Sequence, residues 1–363
     1  MPQQPEPAPV EAKALTDLTD EQLRELVTEH GGKPFQARQV AHWLYRHGAA
    51  DFDGMNNVPR NLRAALGEAL PARSTKVAGV DRASCGTEKL LLELADGQRV
   101  ECVLIPEAPR MTLCISTQVG CPVGCVFCAS GMLGVTRNLT AGEIVEQVLH
   151  ARSRLPEDQP LTNLVVMGIG EPMLNLDALL PALERIHDAA GIGLGTRRIT
   201  VSTSGYPRQM EQFASHERSY QLAVSLHAVE DGLRRELVPT ARHPVAEILA
   251  AAGQFSSLTG REVTFEVVLL EGRNDRPQDA TAMAEALRHL PCTVNLIPWN
   301  PVEELAEQQQ LRRPSEARVD AFADILRRGQ LNVTVRRQRG ADQSAACGQL
   351  RLRDMQGQKP GQP

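Results

Sequence analysis

The sequence predicts an α/β fold: an incomplete (β/α)6 barrel, preceded by a small N-terminal helical domain and a linking β-hairpin. Three observations carry that expectation. Strand-like and helix-like segments alternate from residue 111 onward, the order that builds a parallel sheet with crossover helices. The alternation supplies about six strand–helix units, too few for a closed eightfold barrel. Roughly the first seventy residues, in contrast, carry only helical periodicity.

The elements follow in order. Residues 1–14 are polar and Pro-rich and read as a disordered tail, without the basic and apolar stretches of a signal peptide. Thr19 and Gln22 form a capping-box pattern that opens a helix to about Glu29, and Gly31 and Gly32 stop it. Pro34 opens a second helix with Phe35, Val40, Trp43 and Leu44 on one stripe, and the helical pattern continues over 51–70. These make a helical accessory domain over 15–72. In the linking hairpin, 73–106, Leu90, Leu92 and Leu94 alternate with Leu91, Glu93 and Ala95. Asp96 and Gly97 supply the turn, and Val100, Cys102 and Leu104 return. The barrel is expected over 107–340, with strands at 112–116, 163–167, 198–203, 221–227, 263–270 and 293–298, and a short last one at 332–336. Helices are expected at 141–153, 177–189, 207–214, 231–255 (broken near Pro239), 277–289 and 315–328. Residues 341–363 read as a mobile C-terminal segment rich in small residues.

Composition narrows the function. Aromatic residues make up 3% of the chain, so the core must be aliphatic. A formal charge of −5 does not announce a nucleic-acid binder, although one basic face would suffice. The Arg pairs 197/198, 234/235, 312/313 and 336/337 read first as solvated surface and second as phosphate clamps. No apolar run approaches the roughly 20 residues of a membrane span. A cytoplasmic protein is expected, and there eight cysteines need an explanation other than structural disulfides.

The decisive motif is CISTQVGCPVGCVFCAS at 114–130. Cys121, Cys125 and Cys128 have C-x3-C-x2-C spacing in the loop after the first barrel strand, the end where barrel enzymes place chemistry. Three thiolates suit an iron–sulfur cluster with one iron left open, whereas zinc would want a fourth Cys or His nearby. An open iron can be chelated by S-adenosylmethionine (SAM), as in radical SAM enzymes. Polar groups at later strand ends could converge on that cofactor: Gly170 and Glu171 in MGIGEP, Ser202 in VSTSG, Ser225-Leu226-His227, and Asn300 in WNP. Each alone would also serve as a strand-end cap.

The ordered set of RVECVLIP (99–106), LCISTQVGCPVGCVFCAS (113–130), RNLTAGEIVEQV (137–148), GIGEPMLN (168–175), RRITVSTSG (197–205), AVSLHA (223–228), NLIPWNP (295–301) and AACGQL (345–350) resembles the RlmN/Cfr family of radical SAM RNA methyltransferases. FQARQVAHWLYRHG (35–48) extends the likeness into the helical domain, so it covers about 15–353. The resemblance implies methylation of C2 of a specific adenosine in 23S rRNA and in tRNA, with C8 of the same rRNA adenosine as the alternative. It implies one [4Fe-4S] cluster on Cys121, Cys125 and Cys128, and two SAM per turnover. It implies an S-methylcysteine on Cys347, a resolving Cys114 that forms a transient disulfide with Cys347, and Glu101 as proton acceptor. From the residues alone Glu101 is an outward-facing strand carboxylate, and Cys114 and Cys347 are buried thiols. Cys85, Cys102 and Cys292 match no functional position and read as small hydrophobes. An external one-electron donor such as a flavodoxin and a monomeric state are expected. A basic RNA-contacting face is expected on the helical domain, with Lys33, Arg38, Arg46 and Arg60 as candidates.

Overall fold

The computed structural model describes residues 13–301 and 303–336. Thr19 accepts the Gln22 amide N–H, and the Gln22 side chain accepts that of Thr19, which opens α1 (Asp20–Glu29). Pro34 begins α2 (Pro34–Ala41), which runs on into a π-helical turn, His42–Arg46. The helix expected from residue 51 does not begin until α3 (Arg60–Ala69). The reason is local: Asp51 accepts the Asp53 N–H, and Arg63 donates to the carbonyls of Phe52 and Asp53, so 51–59 closes on itself as turns.

Four antiparallel strands follow: β1 (Lys76–Arg82), β2 (Glu88–Glu93), β3 (Arg99–Glu107) and β4 (Arg110–Cys114). Gly97, at φ 79°, turns β2 into β3 as its dipeptide predicts. The hairpin does more than link. Because β3 pairs with β4, it continues the barrel sheet, and β1 adds an outer edge.

After β4 a small second sheet forms from β5 (Gln118–Gly120) and β6 (Val135–Asn138), which the sequence did not announce. The crossover pattern then runs α4 (Ala141–Arg152), β7 (Asn163–Val166), α5 (Leu176–His187), β8 (Ile199–Thr203), α6 (Pro207–Ala214), β9 (Gln221–Ser225), α7 (Asp231–Leu237), α8 (Val245–Thr259), β10 (Val263–Leu269), α9 (Pro277–Leu287), β11 (Cys292–Pro298), α10 (Glu303–Gln308), α11 (Glu316–Arg328) and β12 (Asn332–Val335). The ten-stranded sheet has the order β1-β2-β3-β4-β7-β8-β9-β10-β11-β12 and is parallel from β4 onward. This is the incomplete α/β barrel that the alternation predicts. The helix break near Pro239 separates α7 from α8, and α10 was not anticipated.

Burial alternates along the strands. On β11, Cys292, Val294, Leu296 and Pro298 are buried under the helices, while Thr293, Asn295 and Ile297 line the less packed inner face. Register then aligns Ser225, Glu266, Asn295 and Thr334 as a polar row across four strands. No helix of the described residues is long and apolar enough to cross a membrane.

One aliphatic core runs from Leu15 through the barrel to Leu331, so the N-terminal helices share it. The junction carries a buried carboxylate. Glu146 on α4 accepts from the Thr16 hydroxyl (2.5 Å), the Ser74 N–H (2.9 Å), the Thr75 N–H (2.7 Å) and the Thr75 hydroxyl (2.5 Å). Burial pushes its pKa up, against the pull of these donors. Glu146→Ala strands four donors at once and is expected to lower the unfolding free energy by about 2–4 kcal/mol, with Glu146→Gln costing less. Urea denaturation measures this; wild-type stability in the alanine variant would show that water replaces the carboxylate freely.

Candidate functional site

The site is built on the loop that leaves β4. Gly120 has φ 87°, and a Cβ there would fall 1.9 Å from the Gly134 carbonyl oxygen, so only glycine lets the two arms of the loop close. The Cys121 N–H donates to that same carbonyl at 2.6 Å. The loop is pinned from three further directions. The Val126 N–H donates to the Leu237 carbonyl (3.1 Å), the Thr240 hydroxyl to Val123 (2.6 Å), and the Trp299 indole N–H to Phe127 (3.0 Å). The Phe127 ring meets His227 edge-on, with centroids 4.7 Å apart. A second apolar cluster, centred on Val123, Leu237, Val238, Leu270 and Trp299, packs against Cys121, Cys125 and Phe127.

Cys121, Cys125 and Cys128 are each partly buried in this loop. Burial pushes the Cys121 thiol up to about 12, and the neighbouring Cys128 and Glu171 add to the effect. Cys125 is raised well above the ordinary thiol value by burial, then by Cys128 and Cys121. Among the described residues no three His, Cys, Asp or Glu side chains converge on a single ion. A cubane needs a different arrangement: its irons are separate, and each thiolate meets a different one, so ligands surround a body rather than a point. Three thiols carried on one loop, packed against an apolar cluster, suit that group, and iron would deprotonate them outright.

The later strand ends face this loop. Residues 168–171 follow β7; Gly170 has φ 113°, and a Cβ there would lie 2.8 Å from Gln118. The Glu171 N–H donates to Gln118 Oε1 (2.8 Å). The Glu171 carboxylate is buried and accepts from the Ser204 N–H (2.7 Å), the Ser204 hydroxyl (2.8 Å) and the Met173 N–H (3.0 Å). Burial nevertheless raises its pKa. Ser202 and Ser225 bring their hydroxyls to 3.5 Å. The backbone N–H groups of Leu226 and His227 both turn to the Glu266 carbonyl. His227 sits at φ 62° with its Nδ1 accepting from Val268 (3.2 Å), and burial lowers its pKa to about 3. Its ring thus supports Phe127 as a neutral imidazole. Asn300, half-buried, follows Trp299 at the same end of the barrel.

Cys114 ends β4, buried, opposite Val103 on one side and Val165 on the other. Glu101 lies two residues from Val103 and so shares the Cys114 face. The Ser116 hydroxyl donates to the Glu101 carbonyl at 2.6 Å. The outward-facing reading of Glu101 is corrected: it is 2% exposed, because β3 is an interior strand of the sheet. Cys347 lies outside the described residues. Cys102 and Cys292 are buried as expected of small hydrophobes, but Cys85 is exposed beside Thr87. Lys33, Arg38, Arg46 and Arg60 are all exposed, as is the Phe35 side chain.

Sequence reasoning missed two interior groups. Arg234 looked like half of a surface pair, yet it is 1% exposed while Arg235 faces solvent. Glu266 drew no attention inside an apolar strand. Its Oε2 accepts from the Asn295 amide (2.8 Å), and Asn295 accepts from Thr334 (2.8 Å). A charged residue at an inward position of a parallel strand was the available signal.

Comparison with known proteins gives the family. Residues 13–70 match the ribosomal RNA large subunit methyltransferase N-terminal domain, and residues 115–284 match the radical SAM superfamily. The chain is 45% identical over 338 residues to "Probable dual-specificity RNA methyltransferase RlmN" of Rhodopirellula baltica, covering 93% of this chain and 90% of that protein. It is 43% identical over 343 residues to the dual-specificity RNA methyltransferase RlmN of Anaeromyxobacter dehalogenans, covering 93% and 91%. Among solved structures, a radical SAM methyltransferase from Sphaerobacter thermophilus superposes with a TM-score of 0.87 at 45% identity, covering 93% of this chain and 99% of that one.

Two outcomes are expected. Trp299→Phe removes the only side-chain donor to the Phe127 carbonyl among the described residues. It should cost about 1 kcal/mol and lower the iron retained after anaerobic reconstitution. Iron assay and cluster absorption read this, and undiminished iron would show that the indole does not set the loop. Glu266 gives a pH signature. Burial pushes its carboxyl up to about 7 from an ordinary 4.5, so the folded protein holds a proton that the unfolded chain has released. Stability from this group is therefore lost as pH rises between those values. Glu266→Gln should remove roughly 2–3 kcal/mol of that loss between pH 5 and 7.5; parallel stability–pH curves for the two proteins would contradict it.

Proposed function

The chain belongs to the RlmN family of radical SAM RNA methyltransferases, and on that premise we propose that it methylates C2 of a specific adenosine in 23S rRNA and in tRNA through an S-methylcysteine on Cys347. It is a SAM-dependent RNA methyltransferase, and the family implies SAM and a [4Fe-4S] cluster. In this reading Cys121, Cys125 and Cys128 hold the cluster, leaving one iron for SAM. Gly170, Glu171, Ser202, Ser225, Leu226, His227 and Asn300 hold SAM. Bound together, cluster and SAM supply a radical able to abstract hydrogen from an unactivated methyl group.

Radical chemistry answers a specific difficulty. The C2 carbon of adenine is electrophilic, and its hydrogen is not acidic enough for direct methyl transfer to a carbanion. Bound SAM would supply the methyl group that Cys347 carries, and the radical from a second SAM would remove a hydrogen atom from that methyl. The resulting carbon joins Cys347 to the base. Glu101 takes the C2 proton, and the Cys114 thiolate attacks the Cys347 sulfur. That attack breaks the carbon–sulfur bond and forms a disulfide; the released CH2 carbon takes up a proton to become the methyl group, the adduct's unpaired electron would leave through the cluster, and an external thiol reduces the disulfide.

The observation that carries this reading is the burial of a carboxylate and a thiol, Glu101 and Cys114, on one face of adjacent strands at the start of the cluster loop. A generator of radicals alone has no use for either. The base must be unstacked to enter, which loop adenosines allow most readily. The exposed Lys33, Arg38, Arg46 and Arg60 suit the backbone of such an RNA. An external one-electron donor such as a flavodoxin, a monomeric state and a cytoplasmic location complete the proposal.

The test is mass spectrometry of 23S rRNA and tRNA fragments incubated with reconstituted enzyme, SAM and reductant. Expected are 2-methyladenosine as product, a methyl group on Cys347 of the isolated protein, and no product from Cys347→Ala. 8-Methyladenosine as sole product, or full activity without Cys347, would overturn the reading.

A further inference from the structure

Arg234 is the largest fully buried side chain among the described residues. It rises from α7 beneath the cluster loop, where the preceding β9 turn and the end of β8 meet. Its Nε donates to the Leu226 carbonyl at 3.2 Å, and its Nη2 donates to the Ser204 carbonyl. Both acceptors are neutral. Its Nη1 is buried and has no partner among the described residues, and no Asp or Glu there lies within ion-pair distance. A guanidinium cannot shed its proton to escape such a position. Burying a full charge without a counter-ion costs several kcal/mol, so an arrangement like this needs an anion that the side chains do not supply.

The surroundings say where that anion belongs. The helix that carries it packs against the cysteine loop: the Val126 N–H donates to the Leu237 carbonyl, and Leu233 and Leu237 lie in the apolar cluster that holds Cys121 and Cys125. Asp231, one turn earlier on α7, is exposed to solvent and accepts the Val245 N–H, and among the described residues it makes no ion pair with Arg234. Ser204 bridges Arg234 to Glu171: its carbonyl accepts from the guanidinium, while its N–H and hydroxyl donate to the carboxylate. Arg234 therefore stands on the helix that packs against the cysteine loop, with one residue, Ser204, between it and Glu171. Thiolates on a [4Fe-4S] core make an anion. One electron from an external donor reduces the core and adds a further negative charge.

We propose that Arg234 is the buried counter-cation of the cluster site, and that it raises the cluster's reduction potential by favouring the more negative, reduced state. The inference rests on the reading that Cys121, Cys125 and Cys128 hold the cluster. It makes Arg234 a positioning and tuning residue that acts on the cluster's charge, with no contact to RNA.

The experiment is a mediated redox titration of the reconstituted full-length protein without SAM, followed by the electron paramagnetic resonance signal of the reduced cluster. Arg234→Gln keeps hydrogen bonding to the two carbonyls and removes the charge; Arg234→Lys keeps the charge and loses the fork. Iron content and circular dichroism report loading and fold. Arg234→Gln should load iron and show a reduced-to-oxidised ratio roughly tenfold lower at a fixed potential, with Arg234→Lys within about twofold of wild type. If Arg234→Gln does not fold, a lysine variant as hard to reduce as an uncharged site would overturn the proposal. An unchanged ratio in a loaded Arg234→Gln would overturn it too, as would a loss confined to SAM affinity, which would assign the guanidinium to the SAM carboxylate instead. Cys121→Ala keeps the two failures apart: if it still loads the cluster, the ligand reading itself has failed.

Discussion

A buried stretch of backbone that joins β4 to the start of β5, residues 115–118, has to satisfy its polar groups away from water, and the site is arranged around how it does so. The Ser116 N–H donates to Gln147 Oε1, and the Gln147 amide returns to the Ser116 carbonyl, both at 2.8 Å. The Ser116 hydroxyl donates to Glu101 on β3 and accepts from the Ile169 N–H on the loop after β7. The N–H groups of Thr117 and Gln118 turn to the Ile169 carbonyl, and the Asn175 amide donates to the Thr117 carbonyl. Four residues thus tie together α4, β3, the 168–171 loop and the strand into the cysteine loop. Moving any of these pieces leaves buried donors without acceptors, so the strand ends cannot drift independently.

That rigidity has an electrostatic use. The site gathers buried thiols, the Glu171 carboxyl and one guanidinium in apolar surroundings, where each charge is felt strongly. Left to burial alone, the thiols and Glu171 shift toward their neutral forms. In the proposed reading, a bound iron cluster would reverse this for the thiols. The protein's task is then to hold charges that only the cofactor makes favourable, and a lattice of backbone hydrogen bonds can hold them before the cofactor arrives.

The legible parts of this molecule are local ones. Helix starts at Thr19 and Thr140, the Gly97 turn and the C-x3-C-x2-C loop all depend on residues within a few positions of one another. What sequence reading missed depends on pairing across long separations or on one step of helical phase. Glu101 alternates as an outer strand position would, yet it is buried, on the face of β3 that carries Val103 opposite Cys114. Arg234 and Arg235 are indistinguishable in a string, yet one helical step of about 100° separates interior from solvent. The turns at 51–59 defeat helical periodicity through two arginine–carbonyl bonds that no pattern encodes. Cys85 was taken for a hydrophobe on residue type alone, and its place between β1 and β2 exposes it.

The two apolar clusters divide the work. The large one joins the helical N-terminus to the barrel and carries the bulk of the buried side chains. The small one contains few residues, drawn from the cysteine loop, the α7 end, the β10 and β11 ends and α10. Apolar burial scales with area, so the fold owes its stability mainly to the first. The second owes its form to the loop it encloses: Trp299 donates to the loop's Phe127 carbonyl, the Phe127 ring meets His227 edge-on, and Val126 reaches across to Leu237. Side chains that excavate this shell therefore bear on the cysteine loop before they bear on the barrel. Chemistry can change at the strand ends while the helices beneath stay packed, which is the physical basis for placing a reactive centre there.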